Sequence, residues 1–299
     1  MLHNLVFHND RLAPMEQVRL SPGQAGLING WGVFSTLRVY DGQPFAFERH
    51  WERLNNDALR IQLPLEYSAG TVHRQMLQML EANRVSSGCV RIYFIHNRIG
   101  IWRSDERAPL VDLLMYASDL PTRTGNARLT IRSNGRHAAH PLAGVKVTSW
   151  LPNAWFLEQA HAGHFDDALL LNEYGNVSEC TAANIFCVRG GSVLTPPLAA
   201  GCLPGVTRQL LLELAPAAGI PVTEADFTPE EIMSAEEVFI TSTTRHVQAV
   251  SEIDGIRLAH SPGPVTTRLA EIFSTVLPGK SPEPREPSAG RRTDFQKTV

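Results

Sequence analysis

The stretch His140-Pro-Leu-Ala-Gly-Val-Lys-Val-Thr-Ser-Trp150 contains Lys146, one of only three lysines in the chain. Apolar neighbours can desolvate an amine and lower its pKa, which makes it a nucleophile towards carbonyl groups. A lysine beside small apolar residues is more commonly a surface residue whose charged end reaches solvent. The motifs that follow Lys146 in the sequence therefore decide between these two interpretations.

A single glutamate follows in the stretch Asn176-Val-Ser-Glu-Cys-Thr-Ala-Ala-Asn-Ile-Phe186. A carboxylate held against a pyridinium nitrogen keeps that nitrogen protonated, so that the ring can take up electrons. Glu179 is the candidate for this role. Taken alone, it could equally be a solvated acid at the edge of a strand.

Three further features are typical of a phosphate site. Gly201-Cys-Leu-Pro-Gly-Val-Thr-Arg208 leads into a leucine-rich helix, whose first free N–H groups attract phosphate. Thr241-Ser-Thr-Thr244 is a hydroxyl cluster after a predicted strand, and Arg53 on a predicted helix could bind phosphate with two hydrogen bonds. Ordinary capped turns and a half-exposed arginine are the alternatives.

Composition and charge favour an enzyme or binding protein for small molecules. The chain has 299 residues, 43% of them hydrophobic, with a formal net charge of -3, which does not indicate a nucleic-acid binder. The sequence shows neither a signal-peptide pattern nor an apolar run of membrane-spanning length. Its four cysteines have no CxxC spacing. We expect a cytoplasmic protein that binds no metal.

The pattern of hydrophobic residues predicts two lobes that mix strands and helices. We expect a substrate-side lobe over 1–120, a cofactor-binding lobe over 121–277 and a disordered, proline-rich tail over 278–299. Asp119-Leu-Pro-Thr-Arg-Thr-Gly125 is the predicted linker. Alternation and helical spacing predict a hairpin over 33–47, helices over 47–61, 71–82, 154–162 and 207–218, and strands over 90–96, 110–117, 128–132, 167–171, 184–188, 193–197 and 237–241.

These segments together resemble the class IV pyridoxal-phosphate aminotransferases, the family of branched-chain aminotransferase, D-amino acid aminotransferase and aminodeoxychorismate lyase. The resemblance runs from about Leu27 to Gly255. The matching pieces are Gly30–Arg38, His50–Leu54, Leu142–Lys146, Asp167–Asn172, Val177–Glu179, Ala183–Phe186, Thr195–Pro197, Leu203–Arg208 and Thr241–Thr244. Their common order along the chain makes the likeness specific.

The resemblance implies an α+β, two-lobed D-amino acid aminotransferase-like fold, with a smaller N-terminal α/β lobe and a larger C-terminal lobe. It implies pyridoxal 5'-phosphate as cofactor, small-molecule substrates and a homodimer. By the same resemblance Lys146 forms the Schiff base and moves the proton, and Glu179 pairs with the pyridine nitrogen. The phosphate would be held by Arg53, Val206, Thr207 and Thr243.

Candidate substrate-binding residues come from two predicted strands and the hydroxyl cluster. Strand alternation places Phe34, Thr36 and Arg38 on one face. Arg38 and Arg91 match positions where relatives carry residues that face or support the substrate, so both are candidates for carboxylate recognition. Thr244 is a further candidate. Either arginine could instead belong to a structural ion pair.

Three functions remain open. The first is an amino acid aminotransferase, with branched-chain substrates as one option, and the second is an aminodeoxychorismate lyase in which Thr36 could act as an acid. Asn29, Trp31 and Trp150 depart from common family residues and leave specificity undecided. The third is a non-catalytic or metal-binding protein that uses His161 and His164, although no third ligand is evident.

Overall fold

Two β-sheets, each covered by helices, make up the protein in the computed structural model, which describes residues 1–20, 23–97, 109–123 and 125–278. The predicted α+β class is confirmed. Within the described ranges the helices are α1 Ala25–Asn29, α2 Phe47–Arg60, α3 Ala69–Ala82, α4 Leu151–Ala162, α5 Val206–Ala217, α6 Pro229–Met233 and α7 Pro264–Thr275. Each of them is too short or too polar to cross a membrane.

The first sheet is antiparallel and has the strand order β2-β1-β6-β5-β3-β4. Its strands are β1 Leu5–His8, β2 Arg11–Pro14, β3 Gly32–Tyr40, β4 Gln43–Pro44, β5 Ser87–His96 and β6 Val111–Ser118. Helices α2 and α3 bury their apolar faces against it, with Leu54, Met76 and Phe94 among the fully buried side chains. Burial of such large apolar groups is the main stabilising contribution to this core.

The second sheet is mixed, with the order β12-β11-β10-β13-β14-β7-β8-β9 and β15 paired to β14. Its strands are β7 Ala127–Arg132, β8 Asp167–Leu171, β9 Val177–Cys180, β10 Asn184–Arg189, β11 Ser192–Thr195, β12 Val222–Glu224, β13 Glu237–Ser242, β14 His246–Ile253 and β15 Ile256–Arg257. Helices α5 and α7 cover one part of the sheet around Phe186 and Phe239, while α4 packs on β8.

The hairpin β3–β4 has the turn that its sequence predicts. Asp41 and Gly42 both have positive φ, 47° and 73°, and Tyr40 pairs with Gln43 across the two-residue loop. This turn geometry matches the twist of the strands, and an Asp-Gly pair accepts it at low cost. Helix α2 then starts at Phe47, as the periodicity indicates.

Residues 119–126 connect the two sheets, and the predicted lobe boundary at 120 falls within them. The predicted disordered tail over 278–299 lies outside the described residues except for Pro278. Its state therefore stays a prediction.

The segment that carries Lys146 returns from the second sheet to the first. The Phe34 N–H donates to the Lys146 carbonyl at 3.1 Å, and the Thr148 N–H donates to the Gly32 carbonyl at 2.9 Å. Val147 forms an antiparallel bridge with Val33. The lysine is therefore held beside β3, where the two sheets meet.

Candidate active site

A cavity of about 930 Å³ lies between the two sheets, and its wall includes residues from both. This volume is in the range of small-molecule and cofactor sites. Ten predicted site residues line the cavity, namely Phe34, Thr36, Arg53, Arg91, Lys146, Glu179, Val206, Thr207, Thr243 and Thr244. The structure thus brings together side chains that are far apart in the sequence.

Lys146 is the only lysine among the described residues. Its side chain is half-buried, and its Nζ lies 4.4 Å from the centre of the Phe34 ring. Burial and the nearby Arg53 charge lower the pKa of Lys146 to about 7, although Glu179 and Asp57 oppose this shift. Near neutral pH the amine is therefore available both as a nucleophile and as a proton acceptor.

Arg53 is held by a buried hydrogen-bond chain behind the cavity wall. It is 8% exposed and donates through Nη2 to the Ser35 hydroxyl at 2.9 Å, and that hydroxyl lies 2.8 Å from His50 Nδ1. Burial, followed by the charges of Arg53 and Lys146, lowers the pKa of His50 well below its usual value. A neutral His50 adds no further positive charge beside Arg53 and Lys146, so it positions Arg53 without repelling it.

The amino end of α5 faces the same cavity. Gly205 precedes the helix, and a β-carbon there would lie 2.1 Å from Asn184 Oδ1, so only glycine fits. Val206 and Thr207, in the first turn, are 3% and 6% exposed. The free N–H groups of a first helical turn and the positive end of the helix dipole attract anions. The predicted helix start is therefore placed where it can bind a phosphate.

Glu179, on β9, is 7% exposed and has both carboxylate oxygens engaged. Arg136 donates through Nε to Oε1 at 2.9 Å, and the Leu203 N–H donates to Oε2 at 3.1 Å. Arg136 is itself held by Asn153, whose Oδ1 accepts from Nη1 at 3.2 Å. These contacts orient the carboxylate in the cavity wall and balance its charge.

The loop between β13 and β14 carries the hydroxyl cluster. Its last residue, Arg245, forms an ion pair with the fully buried Asp167 at 2.8 Å, which fixes the loop to β8. Arg123, an exposed residue of the connection between the sheets, donates to the Thr244 hydroxyl at 2.9 Å. Arg123 also lines the cavity. A positive charge therefore lies next to Thr244.

The wall that the first sheet contributes is aromatic with one cation. Phe34 stacks on Tyr93 with ring centres 5.4 Å apart, and the Tyr93 and Tyr116 hydroxyls lie 3.1 Å apart. Thr36 and Arg91 are paired across β3 and β5, so their side chains share this face. The rings of Phe34 and Tyr93 can contact the apolar part of an organic anion, and Arg91 beside them can bind its negative charge.

Arg38 is the predicted site residue that the structure places elsewhere. It shares a face of β3 with Phe34 and Thr36, but the described cavity lining does not include it. Its guanidinium carbon lies 5.3 Å from the centre of the Tyr40 ring. Arg38 follows the cavity residue Phe34 by four positions on β3. Because a strand advances about 3.3 Å per residue, Arg38 lies beyond the edge of the cavity. Alternation gave the face of Arg38 correctly but not its position along the cavity.

Several polar atoms of the cluster fit a phosphorylated cofactor. Arg53 Nε and Thr241 Oγ1 are buried without a hydrogen-bond partner in the described structure. Buried donors of this kind usually have a partner, which a phosphate between Arg53, the start of α5 and the hydroxyl loop would supply. A lysine amine and a buried carboxylate face the same cavity. This combination is typical of enzymes that bond a lysine to a phosphorylated carbonyl cofactor.

The chain belongs to the class IV amino-transferase family, whose model matches residues 32–253. The family uses pyridoxal 5'-phosphate, so the predicted cofactor and enzyme class are confirmed.

Similar proteins carry three different functional names. The D-alanine aminotransferase of Listeria innocua is 29% identical and aligns over 90% of this chain and 94% of its own. A branched-chain aminotransferase from Thermoproteus uzoniensis, solved with norvaline, superposes with a TM-score of 0.83 at 28% identity, covering 91% of this chain and 94% of its own. A putative 4-amino-4-deoxychorismate lyase from Legionella pneumophila gives 0.81 at 25% identity, covering 88% and 97%. The comparisons leave the substrate open.

The histidine pair of the third hypothesis is outside this site. His161 and His164 are exposed at the end of α4, and the described residues contain no group of three or more His, Cys, Asp or Glu side chains that could hold a metal. With the family shown, the non-catalytic interpretation is wrong.

Sequence reasoning missed Asp57, Arg123 and Arg136. Each acts through a partner that is distant in the sequence, which no local pattern indicates.

Proposed function

We propose that the chain transfers an amino group between an amino acid and a 2-oxo acid, with Lys146 as the catalytic residue. The observation that carries this proposal is the position of Lys146. It is the only lysine among the described residues, it lines the cavity and its pKa is lowered to about 7. A lysine in this state can bond to a carbonyl carbon and later accept or return a proton.

Pyridoxal 5'-phosphate, when bound, supplies the aldehyde that accepts the amino group and the ring that takes up electrons. Lys146 Nζ would bond to that aldehyde and, once displaced by the amino donor, would move a proton at the substrate α-carbon. Glu179, with its charge balanced by Arg136, would hold the proton on the pyridine nitrogen. The phosphate would be held by Arg53, Val206, Thr207 and Thr243.

The charges at the substrate end favour a carboxylate ligand. Arg91 and Arg123 both line the cavity, and neither forms an ion pair with a described carboxylate. Arg91 has the Tyr116 hydroxyl, at 3.4 Å, and the Tyr93 hydroxyl as hydrogen-bond partners, and Arg123 has the Thr244 hydroxyl. We propose that these arginines and Thr244 bind substrate carboxylates, while Phe34 and Tyr93 contact the apolar part. An apolar wall of this kind supports branched-chain amino acids among the donors.

The test is a panel of amino donors in single turnover. Leucine, valine, alanine and glutamate, each as the L and the D form, would be mixed with the holoenzyme while the absorbance of the lysine-bound cofactor is followed. At least one donor should convert the cofactor, and 2-oxoglutarate or pyruvate should restore it. The Lys146→Ala variant should do neither. If no donor converts the wild-type cofactor, amino-group transfer is the wrong function.

A lyase that releases pyruvate from aminodeoxychorismate is the second candidate, and the place of Thr36 supports it. Its hydroxyl lies in the cavity wall on the same face as Phe34, where it could donate a proton. The lyase would be established if the wild type formed pyruvate and 4-aminobenzoate in equal amounts from aminodeoxychorismate. The Thr36→Val variant should form neither product but should still convert the cofactor with amino donors. Donor conversion without any pyruvate release would exclude the lyase.

We also propose a homodimer. Leu151 and Trp155 on α4 are 76% and 61% exposed, and large apolar side chains exposed together are typical of an interface. Light scattering should give twice the 33.0 kDa chain mass, and Trp155→Lys should reduce it. A monomeric wild-type protein would contradict this proposal. The cytoplasmic location stays a prediction.

A further inference from the structure

Asp57 lies behind the cavity wall and belongs to none of the groups described so far. It is on α2, one helical turn after Arg53, and is 3% exposed. Its Oδ2 accepts a hydrogen bond from the Lys146 backbone N–H at 3.3 Å. Among the described residues, its carboxylate forms no ion pair. Burying a carboxylate that has one backbone donor costs folding free energy, so the presence of Asp57 needs an explanation.

The surroundings of Asp57 contain three positive groups. Arg53 precedes it by four residues and Arg60 follows by three, so both side chains emerge on its side of α2. Lys146 is the third. Arg60 also ties α2 to the lysine segment, because its Nη2 donates to the Pro141 carbonyl at 2.8 Å. Asp57 is therefore a buried carboxylate of α2 beside three cations, two of which, Arg53 and Lys146, line the cavity.

We propose that Asp57 is a positioning residue with two effects: it anchors the lysine-bearing segment to α2, and its negative charge competes with the cofactor phosphate for Arg53. The inference rests on the proposed function, in which Arg53 holds the phosphate. Asp57 stabilises the cationic cluster while the site holds no phosphate. The arriving phosphate meets this fixed negative charge, which weakens its attraction to Arg53.

The ionisation of Asp57 sets the conditions for a test. Burial raises its pKa to about 6, against the opposing effects of Arg53, the Lys146 N–H, Lys146 and Arg60. At pH 8 the carboxylate is therefore ionised and repels an anion. A unit charge one helical turn from Arg53, the proposed phosphate ligand, changes anion affinity on the order of tenfold at an intermediate effective dielectric constant.

Inorganic phosphate binding to the cofactor-free full chain, measured by calorimetry at pH 8, separates the charge from the hydrogen bond. Asp57→Asn keeps an acceptor for the Lys146 N–H and removes the charge, so it should bind phosphate on the order of tenfold more tightly than the wild type. Arg53→Gln should lose most binding. If Arg53→Gln loses binding while Asp57→Asn binds no tighter, the competition is refuted and the phosphate site survives. If Arg53→Gln binds phosphate normally, the proposed phosphate site fails, and this inference with it.

Hydrogen exchange of the peptide around Lys146 tests the anchoring effect in the same proteins. Asp57→Ala removes both the charge and the acceptor, so backbone exchange over 145–148 should be faster than in the wild type, whereas Asp57→Asn should exchange as slowly as the wild type. Equal protection in Asp57→Ala and the wild type would show that Asp57 does not hold this segment. Circular dichroism of all three variants controls for global unfolding.

Discussion

The amine of Lys146 should react with electrophiles far more readily near neutral pH than an ordinary lysine. With a pKa of about 7, half of the Lys146 amine is neutral at pH 7. An ordinary lysine with a pKa near 10.4 is neutral in about one molecule in 2,500 at that pH. Arg53 lowers the pKa of Lys146, so the Arg53→Gln variant should raise it, by about one unit, and reduce the neutral fraction.

Competitive labelling of the cofactor-free chain with acetic anhydride between pH 5 and 10 measures this property. Mass spectrometry of the peptides gives a separate curve for each lysine. Lys280 and Lys297, in the tail that the sequence predicts to be disordered, serve as references within the same chain. The midpoint of the labelling curve of Lys146 should lie near pH 7, and it should move to higher pH in the Arg53→Gln variant. A midpoint within one unit of the two reference lysines would refute the reasoning.

Three further substitutions have defined outcomes. Arg136→Gln and Glu179→Gln should each destabilise the cofactor-free protein by about 3 kcal/mol, because each leaves a buried charge unpaired. In urea unfolding, the double variant should lose clearly less unfolding free energy than the two single variants lose together. Additive losses would show that the pair is not coupled. Arg123→Gln should raise KM for the amino donor about tenfold with kcat nearly unchanged, and a fall in kcat alone would argue against a binding role. Arg245→Gln should lower the calorimetric midpoint by roughly 6 °C, since it leaves the buried Asp167 unpaired, and an unchanged midpoint would exclude this pair as the anchor of the loop.

Local signals in the sequence predicted the elements around the site well. The Asp-Gly turn gave the β3–β4 hairpin, and helical spacing gave α2 and α3 to within two residues at each end. Strand β8 has the predicted bounds, because all five of its residues are buried and read as a short apolar run. In each case the local pattern and the tertiary environment favour the same structure.

Other elements depend on partners that local patterns do not show. The sequence predicts no strand over Val177–Cys180, but these residues form strand β9. Ser178 and Glu179 are too polar to predict a buried strand, and pairing with β8 is what forms it. Strand β14 and helix α7 are also missing from the prediction. Polar residues interrupt the alternation in β14, whereas the helical spacing of Val265, Leu269, Ile272 and Phe273 in α7 is a signal that the prediction overlooks.

The candidate site shows the same division. Motifs identified Lys146, Glu179 and the start of α5, and the structure brings them to one cavity. The contacts that hold those residues were not predictable, because Arg136 is 43 residues from Glu179 in the sequence and Asp57 is 89 from Lys146. Only the packing of the two sheets brings such pairs together.

The hydrogen bonds between the lysine segment and β3 have a consequence for motion. Lys146 follows the first strand of the second sheet in sequence, yet its carbonyl accepts a hydrogen bond from the Phe34 N–H of the first sheet, and the nearby Thr148 N–H donates to Gly32. Glu179 belongs to the second sheet. A rigid-body rotation of one sheet relative to the other would therefore change the separation between the amine and the carboxylate. We therefore expect a change in the packing between the two sheets to alter turnover without altering either reacting group.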